Sequence, residues 1–99
     1  MAGKKVLITG AAGSIGKVMR QGLRDRYELR LMYHRTVFPA AAGEEVFVCG
    51  ITELEKLEEV VDGVDAIVHM AGDPRVEAPW EAVLEANIKG VYCLYEAAR

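Results

Sequence analysis

The sequence predicts an α/β fold built on a parallel β-sheet. Three observations predict it: short unbroken apolar runs that suit strands covered on both faces, intervening segments with helical apolar spacing, and a repeated strand-then-helix order that calls for right-handed crossovers. With 99 residues, 52% of them apolar, the chain is one domain's worth at most, yet long enough to bury a core.

Lys5 to Thr9 holds Val6, Leu7 and Ile8 in a row and reads as the first strand. Gly10, Gly13 and Gly16 follow within seven residues. From there Ile15, Val18, Met19 and Leu23, with Gly22 on the same face, predict a helix that runs to about Arg26 and turns this face inward. Leu29, Leu31 and Tyr33 alternate with polar neighbours as a second strand. The connection through Pro39 and Gly43 is too short and too rich in Ala, Gly and Pro for a crossover helix. Val46, Phe47 and Val48 form a third strand. Thr52 and Glu55 then read as a T-x-x-E capping box opening a helix with Leu54, Leu57, Val60 and Val61 inward and with Gly63 placed to end it. The carboxylates between Glu53 and Glu59 read as that helix's solvent face. Ala66 to Met70 is a fourth strand, ended by Gly72, Asp73 and Pro74. Pro79 opens a long helix from Trp80 to Ala98, with Val83, Leu84, Ile88, Val91 and Tyr95 as its inward stripe. Four parallel strands of this kind take the order 3-2-1-4, with a ligand crossing their carboxyl ends where the order reverses between strands 1 and 4.

Charge and cysteine usage narrow the function classes. The net charge of −3 gives no reason to expect nucleic-acid or anionic-membrane binding. The first 35 residues nevertheless hold eight basic side chains against Asp25 and Glu28, which fits either an anionic ligand near the N-terminus or a solvated basic helix face. Cys49 and Cys93 lie far apart, without metal-ligand spacing, each in an apolar run, so neither zinc nor a disulfide is expected and reduced, packed thiols of a cytoplasmic protein are. No apolar stretch reaches the length of a signal h-region or a membrane span.

The glycine loop carries the ligand argument. A strand feeding a glycine-spaced turn and then a helix presents unpaired N–H groups and the positive end of the helix dipole to a pyrophosphate. Gly10 allows the tight turn, Gly13 lets phosphates approach the backbone, and Gly16 lets the helix pack on the strand. The spacing is G-x-x-G-x-x-G, one residue longer than the general G-x-G-x-x-G, and a glycine-rich turn with no ligand is the competing explanation. Lys17 does not make a P-loop, because Val18 stands where Ser or Thr is required.

Thr9-Gly10-Ala11-Ala12-Gly13-Ser14-Ile15-Gly16 resembles the T-G-x-x-G-x-x-G phosphate loop of the extended short-chain dehydrogenase/reductases, the group of nucleotide-sugar epimerases, dehydratases and uronate dehydrogenases. Asp65 to Gly72 resembles that group's fourth strand, and Pro79 to Arg99, with Asn87 three residues before Gly90, its following helix. The likeness spans essentially all 99 residues and is nearest to uronate dehydrogenase-like proteins. It implies a Rossmann-type sheet forming the N-terminal half of a short-chain dehydrogenase/reductase fold. It also implies an NAD or NADP cofactor on Gly10, Gly13, Ser14, Ile15 and Gly16, with Ala71 and Gly72 against it and Ile51 edging the adenine. Asn87, placed by spacing on the buried side, would organise the active-site backbone. Arg75, in the loop bordering the substrate, would grip a sugar carboxylate.

Three departures from the family pattern qualify those implications. Tyr33 stands where the family usually carries the Asp that takes the ribose hydroxyls, and Arg35 lies close by, which leans the expectation toward NADP. Cys49-Gly50-Ile51 replaces the segment in which an Asp often meets the adenine amine, leaving backbone at Gly50 and Ile51 to edge the base. The catalytic Ser and Y-x-x-x-K are absent: Tyr92 is followed four residues on by Glu96, and Tyr95 by Arg99. His69 reads as a packed strand histidine. No catalytic residue is therefore expected within these residues. The expectation is the cofactor-binding part of a sugar oxidoreductase or epimerase, with homo-oligomer formation through the bare strand edge or last helix. The alternative is a non-catalytic binding or dimerisation module.

Overall fold

The computed structural model describes residues 4–71 and 77–99. Strand β1 (Lys5–Thr9) leads through the glycine turn into α1 (Ser14–Leu23), followed by β2 (Glu28–Tyr33), β3 (Glu44–Val48), α2 (Leu54–Val61) and β4 (Ala66–His69). A short α3 (Trp80–Val83) continues through a π-helical stretch, Leu84–Lys89, into α4 (Gly90–Ala98). The sheet order is β3-β2-β1-β4 and every pairing is parallel, including that of β2 with β3, which are joined without a helix. Among the described residues no helix is long and apolar enough to cross a membrane.

Strand alternation divides the core between the two faces of the sheet. Leu7, Met32 and Cys49 point to one side and meet Leu57 and Val60 of α2 and Cys93 and Leu94 of α4. Val6, Ile8, Leu29, Leu31 and Tyr33 point to the other, where Met19 and Leu23 of α1 and Phe38 pack on them. Both cysteines are buried and free. Arg30, charged yet on the same face of β2 as Met32, is buried. Its guanidinium donates to the carbonyls of Val60 and Asp62, each at 2.7 Å, and lies 5.0 Å from the Phe47 ring. A cation therefore satisfies the carbonyl end of α2, where the helix dipole is negative. Gly63, at φ +78°, then turns the chain as expected.

Several helix features differ from the sequence expectation. In α1 the inward residues are Gly16, Met19 and Leu23, while Ile15 and Val18 are 60% and 66% exposed. The stripe is rotated by about one residue because the helix approaches the turn backbone-to-backbone at Gly16, and α1 ends at Leu23, short of Arg26. The T-x-x-E box does not form: α2 begins at Leu54 behind Glu53, and the Thr52 hydroxyl donates to Glu85 Oε1 at 2.8 Å. Leu54 is correspondingly half-exposed. In the last helix the buried face is Gly90, Cys93 and Leu94, whereas Leu84, Ile88 and Tyr95 face solvent. The wide π-helical turn changes the register of the stripe, and Gly90 sets its new orientation: a Cβ there would lie 2.7 Å from Ile51 Cγ2. The same rotation leaves Asn87 exposed and not on the buried side.

Candidate functional site

The carboxyl ends of β1 and β4 are joined by hydrogen bonds that define the floor of the candidate site. Thr9 is fully buried, and its hydroxyl oxygen accepts the N–H groups of Met70 (2.9 Å) and Ala71 (3.1 Å). With both lone pairs used, the hydroxyl hydrogen goes to His69 Nδ1, 2.7 Å away, so His69 is the neutral tautomer carrying its proton on Nε2. Burial also lowers its pKa, favouring that neutral form. His69 is thus a structural strand histidine, as the sequence suggested.

Above this floor, Gly10 sits at φ +65°, and a Cβ there would stand 2.7 Å from Ala71 N. Gly16 is equally confined, with Ala11 Cα 2.9 Å from where its Cβ would be. Both glycines are therefore demanded by backbone contact within the fold. Gly13 differs. It is exposed and extended at φ −72°, and an added Cβ would meet only Gly10 O, at 3.4 Å. Packing does not require glycine at this position, which is the signature expected where a ligand must approach main chain. Ser14 and Ile15 are exposed beside it, and no carboxylate stands in the first turn of α1 to neutralise the positive end of its dipole.

From the turn a groove runs across the sheet end. A part of about 180 Å³ is lined by Gly10, Met32, His34, Cys49, Ile51, Ala71 and Ala86. A wider part of about 510 Å³ shares His34, Cys49, Ile51 and Ala86 and extends to Gly50, Thr52, Glu53 and Lys56. Its apolar lining with a few polar groups at the rim is that of a small-molecule cleft.

Of the residues singled out in the sequence, the structure brings Gly10, Ile51 and Ala71 into this groove and Gly13, Ser14, Ile15 and Gly16 into the adjoining turn. Arg35 is exposed on the segment after β2 and does not line it. Asn87 is exposed next to the groove residue Ala86. Gly72 and Arg75 lie outside the described residues, as do Asp73 and Pro74. Tyr33, at the position where the family usually carries an Asp, points away from the groove, 1% exposed, edge-on to Phe38 with ring centroids 6.1 Å apart. Burial pushes its phenol pKa up. The groove position at the end of β2 belongs to His34, which shares the parity of Met32 along the strand. Counting that alternation from Met32 would have found it.

Gly50 lines the groove but its donor is engaged. Its N–H is taken by the Glu53 carboxylate, so it is not offered to a base. That bond holds the Glu53 carboxyl below the usual carboxylate range. Cys49 beside it has its thiol pushed up to about 11 by burial and by Glu53, and stays protonated at neutral pH.

The segment after β2 is clamped from α1. Arg20 forms a two-point pair with the Glu44 carboxylate, Nε to Oε2 at 2.8 Å, and donates to Pro39 O at 2.7 Å, while Ala41 N–H donates to Glu44 Oε1 at 2.7 Å. The Lys17 ammonium lies 4.6 Å from the Phe38 ring centroid. These contacts fix the chain that carries His34 and Arg35 past the groove.

A parallel 3-2-1-4 sheet with a glycine turn between its first strand and first helix, and a groove at the carboxyl ends, defines the Rossmann class of α/β proteins. Within that class the chain belongs to the NAD dependent epimerase/dehydratase family, whose pattern matches residues 6–99. It is 46% identical over 97 residues to uronate dehydrogenase of Pseudomonas syringae pv. tomato, covering 96% of this chain and 35% of that protein. It is 37% identical over 98 residues to NAD-dependent glucose-6-phosphate dehydrogenase of Haloferax volcanii, covering 94% of this chain and 37% of that one. Among solved structures, a uronate dehydrogenase variant from Agrobacterium tumefaciens complexed with NAD superposes with a TM-score of 0.89 at 44% identity, over 96% of this chain and 36% of that one. The chain therefore spans about a third of the length of the curated relatives it matches.

Proposed function

We propose that these residues form the dinucleotide-binding part of an oxidoreductase or epimerase acting on sugars, uronates among them. The observation that carries this reading is the contrast within the glycine turn: Gly10 and Gly16 are packed against backbone, whereas Gly13 is open at the start of a helix. A pyrophosphate fits that opening and the adenosine half fits the groove toward β2 and β3. NADP is preferred to NAD, because no carboxylate stands at the end of β2 to take ribose hydroxyls or repel a phosphate, and His34 and Arg35 are there instead. The bound dinucleotide supplies hydride transfer; this chain's residues bind and orient it. Arg75 is proposed to grip a sugar carboxylate and Asn87 to order the active-site backbone. Proton transfer requires a Ser and a Y-x-x-x-K, which these 99 residues do not contain. Buried free thiols suit a reducing cytoplasmic setting.

The test is calorimetric titration of the chain with NADP and with NAD. Both should bind, NADP the more tightly, and Gly13→Val should abolish binding without loss of fold. Absence of binding by either dinucleotide, or its survival in the valine variant, overturns the reading.

The second reading, a non-catalytic association module, draws on Trp80, Leu84, Ile88, Tyr92 and Tyr95, which expose an apolar stripe along the last helix. A second copy of the chain is its proposed occupant in either case. Light scattering that shows a monomer at all concentrations would remove that partner. A Y-x-x-x-K encoded after Arg99 would decide for the enzyme over the module.

A further inference from the structure

We propose that Gly90 is a positioning residue for the groove: lacking a side chain, it seats Ile51 against the last helix and so holds open the space offered to the adenosine half of a dinucleotide. The inference rests on the dinucleotide reading above and assigns the residue that sets the groove's width. Gly90 stands where the π-helical turn Leu84–Lys89 passes into α4, at φ −61° and ψ −43°. Those are ordinary helical angles, and glycine weakens a helix interior, so the backbone gives no reason for glycine here. The contact does. Gly90 is buried, and a Cβ on it would stand 2.7 Å from Ile51 Cγ2, 2.9 Å from Cγ1 and 3.3 Å from Cβ.

What matters for a ligand is where Ile51 would go if Gly90 carried a methyl group. The turn that holds Ile51 is tied on both sides. Glu53 N–H donates to Gly50 O at 3.1 Å, the Glu53 carboxylate accepts the Gly50 N–H, and the Thr52 hydroxyl donates to Glu85 Oε1 on the π-helical turn at 2.8 Å. On its inner side Ile51 packs against the buried cluster of Leu57, Val60 and Cys93. Branching at Cβ sets both γ-carbons against the helix and leaves the side chain few rotamers. The open side is the groove, both parts of which Ile51 lines. A displaced Ile51 therefore enters the space it shares with Gly10, Met32 and Ala71, which holds only about 180 Å³. The last helix thus shapes the groove directly through Ala86 and indirectly through Gly90.

The experiment is calorimetric titration with NAD of the wild-type chain, Gly90→Ala, Ile51→Ala and the double variant, with circular dichroism to confirm each fold at the temperature used. Gly90→Ala should weaken NAD binding about tenfold, because the added methyl group is accommodated at the expense of ligand space. Ile51→Ala should weaken it about threefold through lost apolar contact. Alanine at position 51 keeps Cβ and loses both γ-carbons, so the double variant should bind within about twofold of Ile51→Ala alone, the two effects failing to add. A purely structural Gly90 would lower the unfolding midpoint yet leave the NAD affinity of the folded chain unchanged, which overturns the proposal while the dinucleotide reading stands. A double variant about thirtyfold weaker than wild type, as independent effects require, also overturns it. So does a Gly90→Ala chain that fails to fold, since the methyl group then breaks packing instead of moving Ile51 into the groove. Absence of NAD binding by the wild type removes the dinucleotide reading and this inference together.

Discussion

The junction of β1 with α1 and the flank formed by β4 and α4 are built on opposite terms. At the first, backbone touches backbone: Gly10 against Ala71 and Gly16 against Ala11 admit no side chain, and Thr9 ties the strand ends together through three hydrogen bonds. At the second, β4 is the edge strand, and α4 buries Cys93 and Leu94 while Tyr92 and Tyr95 remain 66% and 73% exposed. His69 Nε2, its proton placed by the Thr9 bond, is buried there without a hydrogen-bond partner among the described residues. The difference teaches that the turn is closed by main-chain contact within the described residues, whereas the flank leaves aromatic surface exposed along α4 and a buried donor without a partner beneath it.

Breaking the first region should have the largest effect. Gly10→Ala combines a left-handed backbone with a main-chain clash and should cost about 3 kcal/mol or more in denaturant-induced unfolding. Gly13→Ala, only three residues away, should change stability by less than about 0.5 kcal/mol while weakening dinucleotide binding; equal destabilisation by both would erase the distinction drawn between these glycines. The flank should divide along its own helix. Leu94→Ala removes a buried side chain and should cost about 2–5 kcal/mol, whereas Tyr95→Ser should leave monomer stability within about 0.5 kcal/mol. If Tyr95→Ser instead proves strongly destabilising at low protein concentration, α4 is oriented differently.

Smaller effects follow from pH. Burial lowers the folded-state pKa of His69 beneath its ordinary 6.5, so the unfolded chain binds more protons in that range and stability falls as pH drops below about 6.5. Arg20 likewise depresses Glu44 below its ordinary 4.5, so the contribution of this pair is present above that value and fades as pH falls through the lower folded one. At the alkaline end Cys49 ionises near 9.0 when unfolded and at about 11 when folded, so stability declines between those values. Denaturant midpoints measured across pH check all three signs, and His69→Gln should remove the first step alone.

Much of this molecule was legible in the sequence because it depends on local pattern. Apolar runs of strand length, a glycine-spaced turn and Gly63 at a helix end are recorded residue by residue, and the strand order follows from right-handed crossovers. In the groove, Gly10 was legible from the glycine spacing, whereas Ile51 and Ala71 were expected there through the family resemblance. Orientation was not. Tyr33 and His34 are equally plausible at a strand end until the parity of the neighbouring buried residues is known. Glu53 passes for one solvated carboxylate among several until Gly50 is seen beneath it. The apolar positions Ile15, Val18, Ile88 and Tyr95 satisfy helical spacing without facing the core.

By itself the sequence determined that a parallel sheet forms, in what order its strands lie, and where the glycine turn falls between the first strand and the first helix. Only tertiary structure decided which face of each helix turns inward, that Arg30 is buried to close α2, and which side chains border the groove. The physical reason is that helical periodicity fixes the spacing of a stripe but leaves its rotation free. Rotation is set where two backbones come closest, at Gly16 against the turn and at Gly90 against Ile51, and that closeness belongs to the pair of elements and to neither alone.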